Sequence, residues 1–441
     1  MLHSQRADRS PQRAVIPHAT QPGRPNRSGP PERGPSPMRM QGRRLDTRAL
    51  ETAVGNGAKF HVEAPMPLNA VDLAKQLIRF RSINPPGEEK ECSEFIARLL
   101  TGYGFDVASY EFARDRPTLV ARMPGTANGK PLCFTGHIDV VPLGSNEWQF
   151  PPFDGIVQDG RLYGRGASDM KAGVAAFVAA ACNLIEDGRS FHRGITLVIT
   201  AGEETGCEGA FHVAREKGLG PAELLIVAEP TSNAALFAHK GSLRVVVTAR
   251  GRTAHSSMPH EGENAISKVA EWIRRLEGYD FGARHPLLGS ATACVTTVRG
   301  GENINSVPDC AEFTVDIRTL PDQRHAALVA ELGRLFGPEA EIRIVTSFPG
   351  FATEPDDPSA APLLALLRER TGAAAEPAGA PYFTDASALV PAFDGVATLI
   401  VGPGEAAQCH KTDEYCLVER IEEAQAIYRD LMLRMCCGRA E

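Results

Sequence analysis

No uninterrupted apolar run in this sequence approaches the roughly 18 residues that cross a bilayer, so no membrane span is predicted. No CxxC pair occurs among the ten cysteines, which lie mostly inside apolar segments. That pattern argues against a thiolate zinc site and predicts reduced, buried thiols in a cytoplasmic protein, with only Cys436 and Cys437 exposed near the end. An excess of basic charge is missing too: the formal net charge is −7, which argues against wholesale binding of nucleic acid. Forty-two glycines and 33 prolines fit many turns rather than a coiled coil. What remains is a chain of 441 residues, 43% hydrophobic and 23% charged, with the composition of a soluble globular protein. At about 150 residues per domain it has room for two or three.

The charge is unevenly spread. Residues 1–65 carry 11 Arg+Lys against 5 Asp+Glu, a net of 11 − 5 = +6, so the other 376 residues carry −7 − 6 = −13. The first 37 residues hold eight prolines and almost no periodic apolar pattern. Such a stretch buries too little apolar surface to offset its ordering entropy, and residues 1–65 are expected to be disordered. No apolar core follows the arginines, so a secretory leader is not expected. A transit peptide, a true start near Met38, Met40 or Met66, and a solvated tail without a role stay open.

From Asn69 onward the pattern is regular. Val71, Leu73, Leu77 and Ile78 fall at helical spacing, and Glu91 to Tyr103 reads as a second helix. Thr118–Met123, Leu132–Phe134, Gly194–Ala201 and Leu224–Ala228 read as apolar strands, and Ala172 to Leu184 as a helix. This alternation predicts an α/β fold with a mostly parallel sheet. Between about residues 237 and 349 the texture changes to half-buried alternating strands in the order β-α-β-β-α-β, a ferredoxin-like α+β pattern. The expected division is therefore a tail (1–65), a catalytic domain in two parts (66–236 and 350–441), and an inserted domain (237–349).

Polar residues gather where the apolar strands end, which is where α/β sheets bind ligands. Leu132–Phe134 runs into Thr135-Gly136-His137-Ile138-Asp139. His137 and Asp139, two apart on an extended chain, face the same side, so the imidazole can take a metal while the carboxylate fixes its other nitrogen. Asp169 precedes the Ala172 helix, where it is either a ligand or a helix N-cap. Glu203 and Glu204 follow a buried strand, and two adjacent carboxylates there are costly unless they meet cations. Glu229 ends the next strand, and His410 follows a glycine-rich turn. Imidazole and carboxylate groups without thiolates suit a hydrolytic zinc, cobalt or manganese centre.

Ordered motifs carry a resemblance. GHIDVVP (136–142), the Trp148–Phe153 segment, GRGASDMKAG (164–173), EETG (203–206), AEPT (228–231) and HKTDEY (410–415) resemble the M20 metallopeptidases and amidohydrolases over residues 67–437, nearest the acetylornithine deacetylase and succinyl-diaminopimelate desuccinylase group. The resemblance implies two divalent metal ions, zinc foremost, with cobalt or manganese as alternatives. It places one ion on His137, Asp169 and Glu229 and the other on Asp169, Glu204 and His410, with Asp169 bridging. Glu203 would be the general base and Asp139 the partner that orients His137. The inserted domain resembles the family's lid and dimerisation domain, which implies a homodimer. There, His255 in GRTAHSS would stabilise the oxyanion, often from the partner subunit. Arg318 and Asn305 would hold the substrate carboxylate, and the Gly402–Gly404 loop, Gly404 included, would offer it backbone N–H groups.

The AHSS segment and VGPGEAAQCHKTDEY lean towards acetylornithine deacetylase. The expected reaction is removal of a small N-acyl group from an amino acid, foremost N-acetyl-L-ornithine, as in arginine biosynthesis. Succinyl-diaminopimelate and glutamyl peptides are the alternative substrates. A group for the ornithine ammonium is not evident; Glu302, Asp356 and Asp385 are the candidates. A catalytically silent metal-binding assembly protein is the remote alternative, and the presence of Glu203 and His255 argues against it.

Overall fold

The computed structural model describes residues 67–437 apart from 283, 373 and 375, so the expected disorder of residues 1–65 lies outside the described residues. Its main sheet has six strands in the order 106–113, 116–123, 195–200, 132–137, 224–227 and 398–400. The last three pairings are parallel and the first two antiparallel.

The central strands Leu132–His137, Ile195–Thr200 and Leu224–Val227 are buried at every position, which is why they read as continuous apolar runs. Alternate residues serve two cores. Leu132, Phe134, Leu197, Ile199 and Ile226 face the helices Ala70–Arg79, Ala172–Glu186 and Val418–Cys436. Cys133, Val198, Leu225 and Val227 face the helices Glu208–Arg215 and Ala386–Ala392 on the other side. The first helix starts where Asn69 Oδ1 accepts the N–H groups of Val71 and Asp72.

Three features go beyond or against what the sequence suggested. The strand Asp106–Ala113 is not foreseen by its sequence, because it is a half-exposed edge strand held by pairing with Arg116–Met123 rather than by burial. Residues Ala167–Glu186 are long and apolar enough to cross a membrane, although Asp169 and Lys171 interrupt the run. Most of the stretch (89% of its most apolar window) is buried inside the fold, where it supplies the central helix. Cys436 is fully buried, because the last helix continues into the core and its carbonyl accepts the N–H of His192; the exposed thiols are Cys294 and Cys310.

Between Leu224–Val227 and Thr398–Ile400 the chain builds a second sheet, wholly antiparallel, in the order 292–300, 310–319, 241–250 and 340–348. Helices Ala265–Glu277 and His325–Phe336 cover one of its faces through Trp272, Leu276, Leu328, Leu332 and Phe336. Sequence order and strand order together give the ferredoxin-like arrangement. The chain enters and leaves this region side by side, where Ala238–His239 pairs with Phe351–Ala352.

Phe134 anchors the first core: it is fully buried, and its ring lies 5.9 Å from Phe177 and 5.3 Å from Tyr428. Phe134→Ala should cost about 3–5 kcal/mol of unfolding free energy. Denaturant unfolding checks this, and a loss below about 1 kcal/mol would show that this cluster does not anchor the sheet.

Candidate metal centre

The register of the main sheet places the first two groups. Thr135 pairs with Val227 in parallel, so His137 and Glu229, each two residues further on, leave neighbouring strands at the same edge. Asp169 lies between them on the turn before the central helix. Asp169 and Met170 have non-helical backbone angles, and the helix N-cap is Lys171. Asp169 is therefore not an N-cap. One of its oxygens lies 3.2 Å from His137 Nε2, and the other 3.4 Å from His410 Nε2.

Glu204 completes the set, its Oε2 3.1 Å from His410 Nε2, while Glu229 Oε1 is 3.9 Å from His137 Nε2. Two triads result, His137–Asp169–Glu229 and Asp169–Glu204–His410, each with ligand atoms within 4.8 Å of one another. Asp169 is common to both. These are the five residues singled out as ligands, brought together from five separate segments.

Asp139 does more than the sequence suggested. His137 Nδ1 lies 2.9 Å from the Asp139 carbonyl and 3.6 Å from its carboxylate. The carboxylate itself accepts the N–H groups of Glu203 and Glu204, each at 3.1 Å, and the Asn84 amide at 2.8 Å. Asn84 also donates to Thr205. Asp139 thus holds the loop that presents Glu203 and Glu204. The sequence analysis missed Asn84, which lies about fifty residues upstream next to two prolines and carries no local signal.

The electrostatics fit divalent ions. Glu203 is pushed well above the ordinary carboxylate range, first by burial and then by Glu229, Asp385 and Glu204, and Glu229 likewise by burial and then by Asp169, Asp385 and Glu204. Glu204 is raised by burial and by Asp169, and its Oε1 is buried without a hydrogen-bond partner. Burial opposes protonation of His137, yet Asp169, Glu229, Asp139 and Glu203 hold its pKa well above normal. Contacts with Asp169 and Glu204 raise His410 to about 10. Burial works against the Asp169 anion, but the two imidazoles hold its pKa low. So many buried carboxylates with only two imidazoles between them are short of positive charge, and oxygen and nitrogen donors without thiolate match hard or borderline divalent ions.

The residues assigned to the substrate are spread more widely. Arg318 is half-buried, pairs with Asp316 at 3.0 Å and lies 5.9 Å from the Phe383 ring. Phe383 is two residues from Asp385, a buried carboxylate that accepts from Thr200 Oγ1 and is raised to about 6 by burial. Gly404 is buried where a Cβ would clash with the Ser168 carbonyl, so packing by itself explains this glycine. His255 and Asn305 are exposed and lie together at one end of the inserted domain, with Ser256 N–H donating to the Asn305 carbonyl. None of their described contacts reaches the carboxylate cluster.

An α/β sheet with histidines and carboxylates converging at its strand ends fits a metal-dependent hydrolase. Comparison with known proteins agrees. The profile of Peptidase family M20/M25/M40 matches residues 133–434, and the chain belongs to that family. It is 30% identical over 394 residues to a protein of Staphylococcus epidermidis named "Probable succinyl-diaminopimelate desuccinylase", covering 82% of this chain and 96% of that one. It is 32% identical over 380 residues to a succinyl-diaminopimelate desuccinylase of Cereibacter sphaeroides, covering 82% and 98%. Among solved structures, aminopeptidase PepT of Bacillus cereus aligns with a TM-score of 0.68 at 22% identity, over 82% of this chain and 97% of that one. A Bacillus subtilis protein described as a dinuclear metal-binding peptidase of the M20 family aligns at 0.64 and 15% identity, over 83% and 97%. These structural likenesses concern the fold.

Burial and neighbouring charge favour the protonated forms of His137, Glu203, Glu204 and Glu229, and His410 is raised to about 10. Zinc uptake should therefore release protons, and apparent affinity should climb with pH until His410 is deprotonated, near pH 10. Calorimetric titration in buffers of different ionisation heat measures the released protons. Uptake without proton release, at an affinity independent of pH, would contradict this electrostatic account.

Proposed function

We propose that the protein is a di-metal amidohydrolase that removes a dicarboxylic acyl group, succinyl foremost, from an amino-acid nitrogen. Acetylornithine deacetylation, the main expectation from sequence, is replaced by its alternative: the two relatives of about 30% identity named above carry the name succinyl-diaminopimelate desuccinylase, one of them as probable. Of the two segments that suggested acetylornithine, VGPGEAAQCHKTDEY carries His410 of the cluster and AHSS lies on the inserted region with no described contact to it, so neither describes the acyl pocket. The arginine-pathway reading falls with it.

One observation carries the reading. Lys240, a buried residue not considered from sequence, has its ammonium held below the usual range by burial and by the neighbouring Arg318 cation. Two cations close together, next to Phe383 and the Asp385 segment, suit a substrate with a carboxylate at that end. A succinyl group has such a carboxylate and an acetyl group lacks it.

In this reading His137, Asp169 and Glu229 would hold one divalent ion, and Asp169, Glu204 and His410 the other. Zinc, cobalt and manganese all suit these donors. The ions would supply Lewis acidity, polarising the acyl carbonyl and making water nucleophilic near neutral pH. Glu203, whose buried position raises its proton affinity, takes a proton from the attacking water as the water oxygen bonds to the acyl carbon. It delivers that proton to the amide nitrogen as the C–N bond breaks, releasing the dicarboxylic acid and the free amine. Asp139 keeps Glu203 and Glu204 in register through their backbone N–H groups. Arg318 and Lys240 hold the acyl carboxylate.

A panel of N-acetyl, N-succinyl and N-glutaryl amino acids and dipeptides, assayed with zinc and with cobalt, tests the substrate class. N-succinyl substrates should be turned over at least about 10-fold more efficiently than their N-acetyl counterparts, since one charge-assisted hydrogen bond is worth roughly 1.5–3 kcal/mol. Preference for N-acetylornithine would restore the earlier expectation, and preference for dipeptides would make the enzyme a peptidase.

We further propose that the protein works as a homodimer through the inserted domain. Its edge strand Thr292–Gly300 exposes Val298, and Ile304 beyond it is fully exposed. His255, which has no described contact with the cluster of its own chain, would then serve the partner's site as oxyanion donor. Glu203→Ala and His255→Ala should each lower the rate by about 10²–10⁴-fold. Refolding the two inactive variants together should restore activity, because mixed dimers contain one intact site. Recovery no greater than the sum of the separate variants would place His255 outside the partner's site.

A further inference from the structure

The sheet alone does not position His410. His137 and Glu229 extend from paired parallel strands, and Asp139 ties Glu204 to the same sheet edge. His410 instead sits in a turn, with positive φ (63°) and a side chain 53% exposed, and Asp169 sits on a non-helical turn in a distant segment. Something else has to set the distance between them.

What joins these two segments is a buried ion pair. Arg165 and Glu414 are each 1% exposed, with Arg165 Nη1 2.7 Å from Glu414 Oε2. Glu414 Oε1 accepts the backbone N–H groups of Ser168 (2.8 Å) and Asp169 (3.0 Å), and Oε2 also accepts that of Gly166 (3.0 Å). One carboxylate therefore fixes three peptide groups of the turn that carries Asp169. Arg165 reaches the other way: it donates to the Lys411 carbonyl, directly after His410, at 3.0 Å, and to the Pro142 carbonyl at 3.2 Å. Its guanidinium lies 5.0 Å from the Trp148 ring. Ser168 Oγ adds a parallel tie, donating to the Tyr415 carbonyl and accepting the Glu405 N–H.

We propose that the Arg165–Glu414 pair is a positioning device for the second metal position. It holds Asp169 and His410 at ligating distance and has little influence on the spacing of His137 and Glu229. The inference rests on the two-ion reading above. A buried pair of this kind is weak evidence for stability as such, whereas a bond network that ends on the backbone of one ligand and beside another constrains geometry directly.

The test is a stepwise cobalt titration of the full chain, followed by visible absorption and checked by calorimetry with zinc, on the wild type, Glu414→Gln, Arg165→Lys and Ser168→Ala. Thermal unfolding of each metal-free chain is recorded alongside. Ser168→Ala removes the parallel tie without leaving a buried charge, so it reports even where the charged variants fold poorly. The expected result is a wild type that takes two ions. In Glu414→Gln and Arg165→Lys the second should bind about 10–100-fold more weakly and the first change far less, with Ser168→Ala shifted in the same direction by a smaller factor. If the wild type takes two ions and the ratio of first to second affinity is unchanged in all folded variants, even where the melting temperature drops, the pair is only structural and the inference fails. If the wild type takes fewer than two ions, the two-ion reading fails and the inference with it.

Discussion

Glu203, Glu204, Glu229, Asp139 and Asp169 crowd one edge of a sheet whose central strands are buried at every position. Bringing that much negative charge out of water is tolerable only if cations and fixed donors meet it. The cluster has two imidazoles within reach, and both carry raised proton affinity as a result. The surrounding polar architecture answers this constraint: Asp139 is met by backbone N–H groups and an amide, and Glu414 by three backbone N–H groups and a guanidinium. Glu203, Glu204 and Glu229 remain short of positive charge, a deficit that suits divalent ions.

The scaffold distributes the task of holding the ligands. Parallel pairing aligns His137 with Glu229, and the central helix, buried on all sides, anchors the segment that ends in Asp169. The loop bearing Glu203 and Glu204 closes over Asp139. The segment at 410–415 is added from the far end of the chain. These interactions differ in kind, from backbone ladder to apolar packing to buried charge pair, so the ligands differ in how firmly each is held.

The proposed acyl-binding cations belong to a different part of the molecule. Arg318 lies on the strand Cys310–Thr319 and faces Phe383 of the main body, and Lys240 directly precedes the strand Gly241–Arg250. The segments that pointed to acetylornithine, AHSS and VGPGEAAQCHKTDEY, contain neither of these cations. Arg318 and Lys240 are isolated residues on separate segments, and neither forms a motif.

By itself the sequence determined the class of fold and the ferredoxin-like order of the inserted elements, and its motifs, through a family resemblance, pointed to the five residues that gather in the two triads. Each of these leaves a local trace: an apolar run, an alternation of period two, or a polar residue directly after a strand. The edge strand Asp106–Ala113 left none, because pairing rather than burial holds it, and Cys436 was misjudged because burial of the last helix depends on what packs against it. Asn84 at Asp139, Glu414 beneath Asp169 and Lys240 beside Arg318 were likewise decided only by the tertiary structure. Hydrogen bonds and charge pairs between segments tens to hundreds of residues apart depend on distances in space, and a linear pattern carries no record of those distances.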